Sequence, residues 1–231
     1  MKLKDLIDFL NEKIPENLAL DFDDVGLMGD YDLNLDIRSV KIFMDLWPED
    51  DGFEDTLIIT HHPPLFSPKT PTYTIHSNWD IIDGGANEAL AECLDLEVKG
   101  YFDDETHIGR ICKSDFTFKE LKEHISDSFE NVRIVNGMAD EETVEEIGIV
   151  SGFGLKNPDY IKLADDKNLN ILISGDLTQE TAILARKLGV ILIDLGHHES
   201  EVPGLYRLAK LLNEIDIETE IIDKKPIEIL K

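Results

Sequence analysis

The chain predicts an α/β protein of two intertwined lobes, with mixed or parallel sheets covered by helices. Two observations carry this. From Asn157 onward the apolar runs NILISG and VILIDLG alternate with stretches of helical periodicity, Thr178 to Leu188 and Val202 to Ile215. Strands separated by helices of that length imply right-handed crossovers and a sheet covered on both faces. Upstream, TLIIT at 56–60 is a short continuous apolar run, the pattern of a parallel strand buried on both sides. The 231 residues, 42% of them apolar, can bury the core of one large domain or two small ones.

The elements follow in order. Leu3, Leu6, Ile7, Leu10 and Ile14 have helical spacing, and Pro15 ends that amphipathic segment. Val40, Ile42, Met44 and Leu46 alternate in SVKIFMDL, which reads as a strand with one buried face. After TLIIT, Ala86, Ala89, Leu90, Cys93 and Leu94 share a helix face, and IGRIC at 108–112 reads as a strand. Phe118, Leu121, Ile125 and Phe129 return to helical spacing before the strand-like EEIGIVSG. Asn157 caps a helix whose first position is Pro158, Gly189 stops the helix that begins at Thr178, and ETEIID is a last strand. There is no glycine/serine linker, so the lobes are divided by rhythm alone: residues 1–112, then 113–231, with the C-terminal helix and strand available to pack back on the first lobe.

Composition excludes several classes. No stretch approaches the ~18 consecutive apolar residues of a membrane span, and Asp5, Asp8 and Glu12 interrupt any leader-like run, so a soluble cytoplasmic protein is expected. Cys93 and Cys112 lie in no C-x-x-C pair and sit in apolar patterns where cysteine behaves as a small buried hydrophobe. The net charge of −27 opposes attraction to phosphate backbones, which makes nucleic acid a disfavoured partner. That acidity reads first as solubility and secondarily as a field that attracts cations.

Four clusters could carry chemistry. In THHPPLFSP, His61 and His62 follow the apolar strand directly, at the carboxyl end where open α/β sheets bind ligands. Neighbouring side chains on an extended backbone point to opposite sides, so the pair suits two ions better than one. Taken alone, a His-His pair reads first as a surface loop whose imidazoles hydrogen-bond. In GHHESE, His197 and Glu201 are four apart after VILIDLG and share a helix face, whereas His198 points elsewhere. The plain alternative is that Glu201 complements a helix dipole. Two such clusters, each at the end of a buried strand, favour metal. IHSNWD adds His76 and Asp80, and DFDDVGL adds Asp21, Asp23 and Asp24; an acidic loop is usually only solvated, but near cations it can orient ligands. Imidazoles with carboxylates suit Zn, Fe or Mn. His107 and His124 have no ligand partners nearby in sequence and read as ordinary surface or helix residues. SGFG at 151–154 lacks the spacing of a phosphate-binding loop and reads as a tight turn.

Taken together and in this order, FDDVGL, HHPPLF, HSNWD, IGRIC and SGDLTQETAILARKLGVILIDLGHHESE resemble the Nif-three-like proteins, also known as type 2 GTP cyclohydrolase I homologues. The match runs from about Asp21 to Glu201. The resemblance implies two divalent ions between the lobes, held by His61, His62, Asp80, His197 and Glu201; under a hydrolytic reading Glu201 is the candidate bridge. It also implies a ring-like homohexamer; some members carry an extra domain inserted between the halves, for which 231 residues are expected to leave no room. This chain has Phe22-Asp23-Asp24 where the family shows W-D-N, and His198 where it commonly has tyrosine. The expected function is metal-dependent hydrolysis of a nucleotide or phosphorylated small molecule, with Asp23, Asp24 and His76 as proton carriers or orienters. The alternative is a non-catalytic metal carrier or assembly scaffold.

Overall fold

The computed structural model describes residues 1–227, and the chain clusters into two compact units: Met1–Gly85 together with the chain from Leu205 onward, and Ala86–Gly204.

The first unit opens with α1 (Leu3–Lys13), whose Leu3, Leu6 and Leu10 are fully buried, as their spacing predicts. Its sheet contains β1 (Gly26–Leu27), β2 (Ser39–Phe43), β3 (Thr56–Thr60), β4 (Thr72–Thr74) and β11 (Glu218–Ile222), in the order β1-β4-β3-β2-β11. The four strands from β4 to β11 are parallel, and β1 runs antiparallel on β4. Every residue of β3 is buried: Leu57, Ile58 and Ile59 are apolar, and the hydroxyls of Thr56 and Thr60 are hydrogen-bonded, to the Glu54 carbonyl and to Thr74. In β2 the alternation leaves Lys41 at the surface beside Phe53 while Val40 and Ile42 are fully buried. The parallel register brings the carboxyl ends of β2, β3 and β4 to one edge. The short helix α2 (Ser77–Ile81) starts just beyond β4.

The second unit contains α3 (Ala86–Cys93), β5 (Glu97–Tyr101), β6 (Arg110–Lys113), α4 (Phe118–Ser128), β7 (Arg133–Val135), β8 (Glu146–Ile149), α5 (Pro158–Asp166), β9 (Ile171–Ser174), α6 (Gln179–Leu188) and β10 (Ile191–Asp194). Helix α7 (His197–Leu212) begins here and runs into the residues of the first unit. The sheet order is β5-β6-β8-β9-β10-β7, with β8, β9 and β10 parallel and the outer pairings antiparallel. Ile147, Ile149, Ile171, Ile173, Ile191 and Ile193 form one apolar face, covered by Phe118, Leu121 and Ile125 of α4 and Leu90 of α3. The period of two turns Leu172 and Leu192 to the other face. The fold is therefore α/β with two sheets covered by helices and mixed strand directions.

Local signals hold where their chemistry is complete. Asn157 caps α5 through its side chain, which accepts from the Asp159 N–H, and Gly189 ends α6 in the left-handed region at φ 82°. Three expectations need correction. Helix α7 begins at His197, five residues before Val202, so Pro203 lies inside it; its first turn is tied to a residue distant in sequence, the Ser200 hydroxyl accepting from the Gly152 N–H. Strand β6 begins at Arg110, not at Ile108, because Gly109 is left-handed at φ 72° and His107 at φ 63°. Cys93 is exposed: it is the last residue of α3, beyond the strip covered by Leu90 and Leu94, whereas Cys112 is buried.

Candidate metal centre

In the first unit the candidate site sits on the carboxyl edge of three neighbouring parallel strands. His61 and His62 continue β3, and their backbone N–H groups donate to the carbonyls of Phe43 and Met44 at 3.0 Å each. The pairing of β3 with β2 thus extends through both histidines and fixes their backbone. Leu20 and Asp23 tie the neighbouring loop to Ser77 of α2. The Ser77 hydroxyl accepts from the Leu20 N–H at 2.9 Å, and Asp23 accepts from the Ser77 N–H at 2.9 Å. The Asn78 side chain, fully buried, accepts from the His76 N–H at 2.9 Å.

The imidazoles of His61, His62 and His76 converge, with ring centroids 5.0 to 5.3 Å apart. One ring nitrogen of each lies within 4.8 Å of the others, near the ~4 Å that two bonds of ~2.0–2.1 Å to a single ion can span. Asp80, one helical turn beyond His76, places Oδ1 4.0 Å from His61 Nε2. Each ring is anchored through Nδ1: His61 to the Ile75 carbonyl at 3.1 Å, His62 to Asp45 Oδ1 at 2.9 Å, and His76 to Asp23 Oδ1 at 2.7 Å. A carbonyl or carboxylate oxygen can only accept, so Nδ1 carries a proton, and the neutral ring has its lone pair on Nε2. This is the preparation metal-binding histidines need.

Asp23 is nearly inaccessible, and burial alone would raise its pKa; the hydrogen bonds from His76 and Ser77 outweigh that and hold it well below the usual carboxylate range. Burial works against the His76 cation, but the hydrogen bond it donates to Asp23 and the charges of Asp80 and Asp23 outweigh that and raise its pKa. Asp24 is exposed and lines a cavity of about 290 Å³ with Leu27, Met28, Pro64 and Phe66, apart from the three imidazoles.

The second unit repeats the arrangement on β8, β9 and β10, whose carboxyl ends also share an edge. His197 opens α7 just after β10, and Glu201, buried to 3% exposure, lies one turn on with Oε1 3.2 Å from His197 Nε2. His197 Nδ1 is 3.0 Å from Asp176 Oδ2. Burial opposes the His197 cation, but Glu201 and Asp176 outweigh it and push its pKa up to about 9. SGFG is a turn, as expected, and it seats Glu201: the Gly152 N–H donates to the Ser200 hydroxyl at 2.8 Å, and a Cβ at Gly152 would lie 2.2 Å from Glu201 Oε1. His198 is buried, while His107 stacks on Tyr101 and His124 on Phe116, outside either cluster.

Sequence reasoning missed Asp45 and Asp176. Each follows a strand adjacent to the strand that carries the histidine, β2 beside β3 and β9 beside β10. The signal was present in the FMDL and ISGD runs, where an acid closes an apolar strand.

The fold and these clusters define an α/β protein of two helix-covered sheets with histidine and carboxylate groups that could hold a metal. The chain belongs to the Duf34/NIF3 (NGG1p interacting factor 3) family, whose model matches residues 1–73 and 69–226. It is 37% identical over 227 residues to a GTP cyclohydrolase 1 type 2 homolog of Methanothermobacter thermautotrophicus, covering 96% of this chain and 93% of the relative. A Clostridium perfringens protein of the same description is 31% identical, with 97% of both chains covered. Among solved structures, reduced HcgD from Methanocaldococcus jannaschii matches with a TM-score of 0.81 at 28% identity, over 96% of this chain and 97% of that one. A Bacillus cereus protein related to NIF3 matches with a TM-score of 0.77 at 16% identity, over 100% and 99% of the two chains, and so shares the fold. Among the described residues no helix is long and apolar enough to cross a membrane.

Proposed function

We propose that the protein binds two divalent metal ions through His61, His62, Asp80, His197 and Glu201, with Glu201 as the residue that would be shared by both, and that it is a metal-dependent hydrolase of a nucleotide or phosphorylated small molecule. One observation carries the reading: four imidazoles at strand ends donate through Nδ1 to oxygen acceptors, so that each neutral ring would present Nε2. The donor set of imidazole and carboxylate suits Zn, Fe or Mn. A pair of such ions would supply hydroxide near neutral pH and neutralise charge developing in a hydrolytic transition state.

The chain's own groups have definable parts in this reading. Its hydrogen bond to Asp23, which accepts from Nδ1, holds His76 beside His61 and His62, where it can orient or protonate a substrate group. The descriptions of the relatives as GTP cyclohydrolase 1 type 2 homologs point to nucleotides as the first substrates to try. The test is a screen of nucleotides and phosphoesters with metal-loaded protein. Turnover that disappears in Asp80→Ala supports the hydrolase; flat progress curves across the panel overturn it and leave a metal carrier or scaffold. A cytoplasmic homo-oligomer, a hexamer by family resemblance, belongs to the same proposal. A monomer mass by light scattering at micromolar concentration would remove that part.

A further inference from the structure

We infer that Asp45 and Asp176 are positioning residues that hold His62 and His197 so that both would bind metal through Nε2. The inference rests on the proposed metal site but assigns residues outside its ligand set.

The two aspartates occupy equivalent places. Asp45 follows β2 and reaches the histidine after β3, the next parallel strand; Asp176 follows β9 and reaches the histidine after β10, again the next parallel strand. Both meet the same ring atom at nearly the same distance, Nδ1 at 2.9 Å and 3.0 Å. Strands one ladder apart are ~4.8 Å from each other, which suits a short aspartate reaching across to an imidazole. A chance surface pair would have no reason to recur in this geometry on two sheets.

The backbone at Asp176 adds a second argument. Its φ is +63°, in the left-handed region that aspartate tolerates better than most residues, though at some cost. The preceding Gly175 has no room for a side chain: a Cβ there would lie 2.5 Å from the Gly152 carbonyl oxygen and 2.5 Å from the His197 nitrogen. The chain is thus pressed against the start of α7, and the left-handed residue carries the carboxylate that meets His197. An exposed ion pair contributes little to stability and gives little reason for such a backbone. Orienting a ligand does, because partners of this kind typically change metal affinity 10- to 100-fold.

The test uses the full chain and Zn²⁺ as the probe. Asp45→Ala and Asp176→Gly remove the carboxylates, the glycine keeping the left-handed backbone accessible; Asp45→Asn and Asp176→Asn keep an oxygen that can accept from Nδ1. Circular dichroism first checks that each variant is folded. Competition with a chelating dye should show zinc affinity reduced roughly 10- to 100-fold in the Ala and Gly variants, with substantial recovery in the Asn variants. Nitrogen-15 spectra of the zinc-loaded protein should show Nε2 coordination at both histidines in wild type and a loss of that selectivity at the histidine whose partner is removed. Wild-type affinity and unchanged Nε2 coordination in Asp45→Ala and Asp176→Gly would overturn the inference and leave the metal site standing. Wild-type protein that takes up no zinc would overturn both.

Discussion

Replacing Gly152 with alanine tests the second cluster without touching a proposed ligand. Gly152 has φ +75°, and the new Cβ would lie 2.2 Å from Glu201 Oε1, 3.0 Å from its Cδ and 3.4 Å from His197 Nε2. The left-handed backbone costs an ordinary residue ~1–2 kcal/mol. Contact at 2.2 Å cannot persist, and of the atoms involved the Glu201 carboxylate is the end of a flexible side chain, so it is the group that moves. With Glu201 buried to 3% exposure, displacement disturbs its packing and adds a cost on the order of 1–2 kcal/mol. The expected loss is therefore ~2–4 kcal/mol in urea unfolding, together with a sharp fall in bound metal measured by atomic emission. A Gly152→Ala protein with wild-type stability and full metal content would refute the reasoning, since Glu201 could then be neither seated by this turn nor needed as a ligand.

Two further outcomes are expected. In the GHHESE motif, Glu201→Ala should lower ions per chain most, because a bridging carboxylate serves both ions and screens their mutual repulsion; His197→Ala should leave one ion partly bound, and His198→Ala should leave both. A ranking with His198→Ala as the most damaging would mean that the register of the motif is misread. The second concerns pH. The folded-state pKa of His197 lies at about 9, above its ordinary value of 6.5, so its protonation stabilises the metal-free fold fully below ~6.5, and that contribution is lost as pH rises through 9. An ion at Nε2 must displace that proton, so affinity for the ion held by His197 should rise about tenfold per pH unit up to ~9 and then level off. Calorimetric titrations showing constant affinity from pH 6 to 8 would exclude His197 as a ligand.

Most of the scaffold was legible because its signals are local. Thr178 and Gly189 bracket α6 through a side-chain cap and a left-handed stop, and β3 is apolar at Leu57, Ile58 and Ile59, with no charged residue that would require a solvent face. The histidines were legible for a topological reason, since both clusters follow apolar strands whose parallel neighbours place their carboxyl ends on one edge. What escaped depends on contacts distant in sequence. Asp45 and Asp176 gain their meaning from histidines 17 and 21 residues away, and the first turn of α7 meets Gly152, 48 residues away, through the Ser200 hydroxyl. The strands β1, β4, β5 and β7 were not anticipated: β1, β4 and β7 are only two or three residues long, and β5 (EVKGY) is polar. Asp23 and Asp24 looked alike in sequence. Only Asp23 is drawn in, by the Ser77 N–H and the His76 ring, while Asp24 stays at the surface.

The central claim, a two-ion site, is tested most directly by metal analysis of protein purified without chelators and then dialysed against buffer containing zinc, iron or manganese. The account predicts close to two ions per chain for at least one of these metals, falling well below that in Glu201→Ala. Stoichiometry near zero with every metal, in protein shown to be folded, would contradict it.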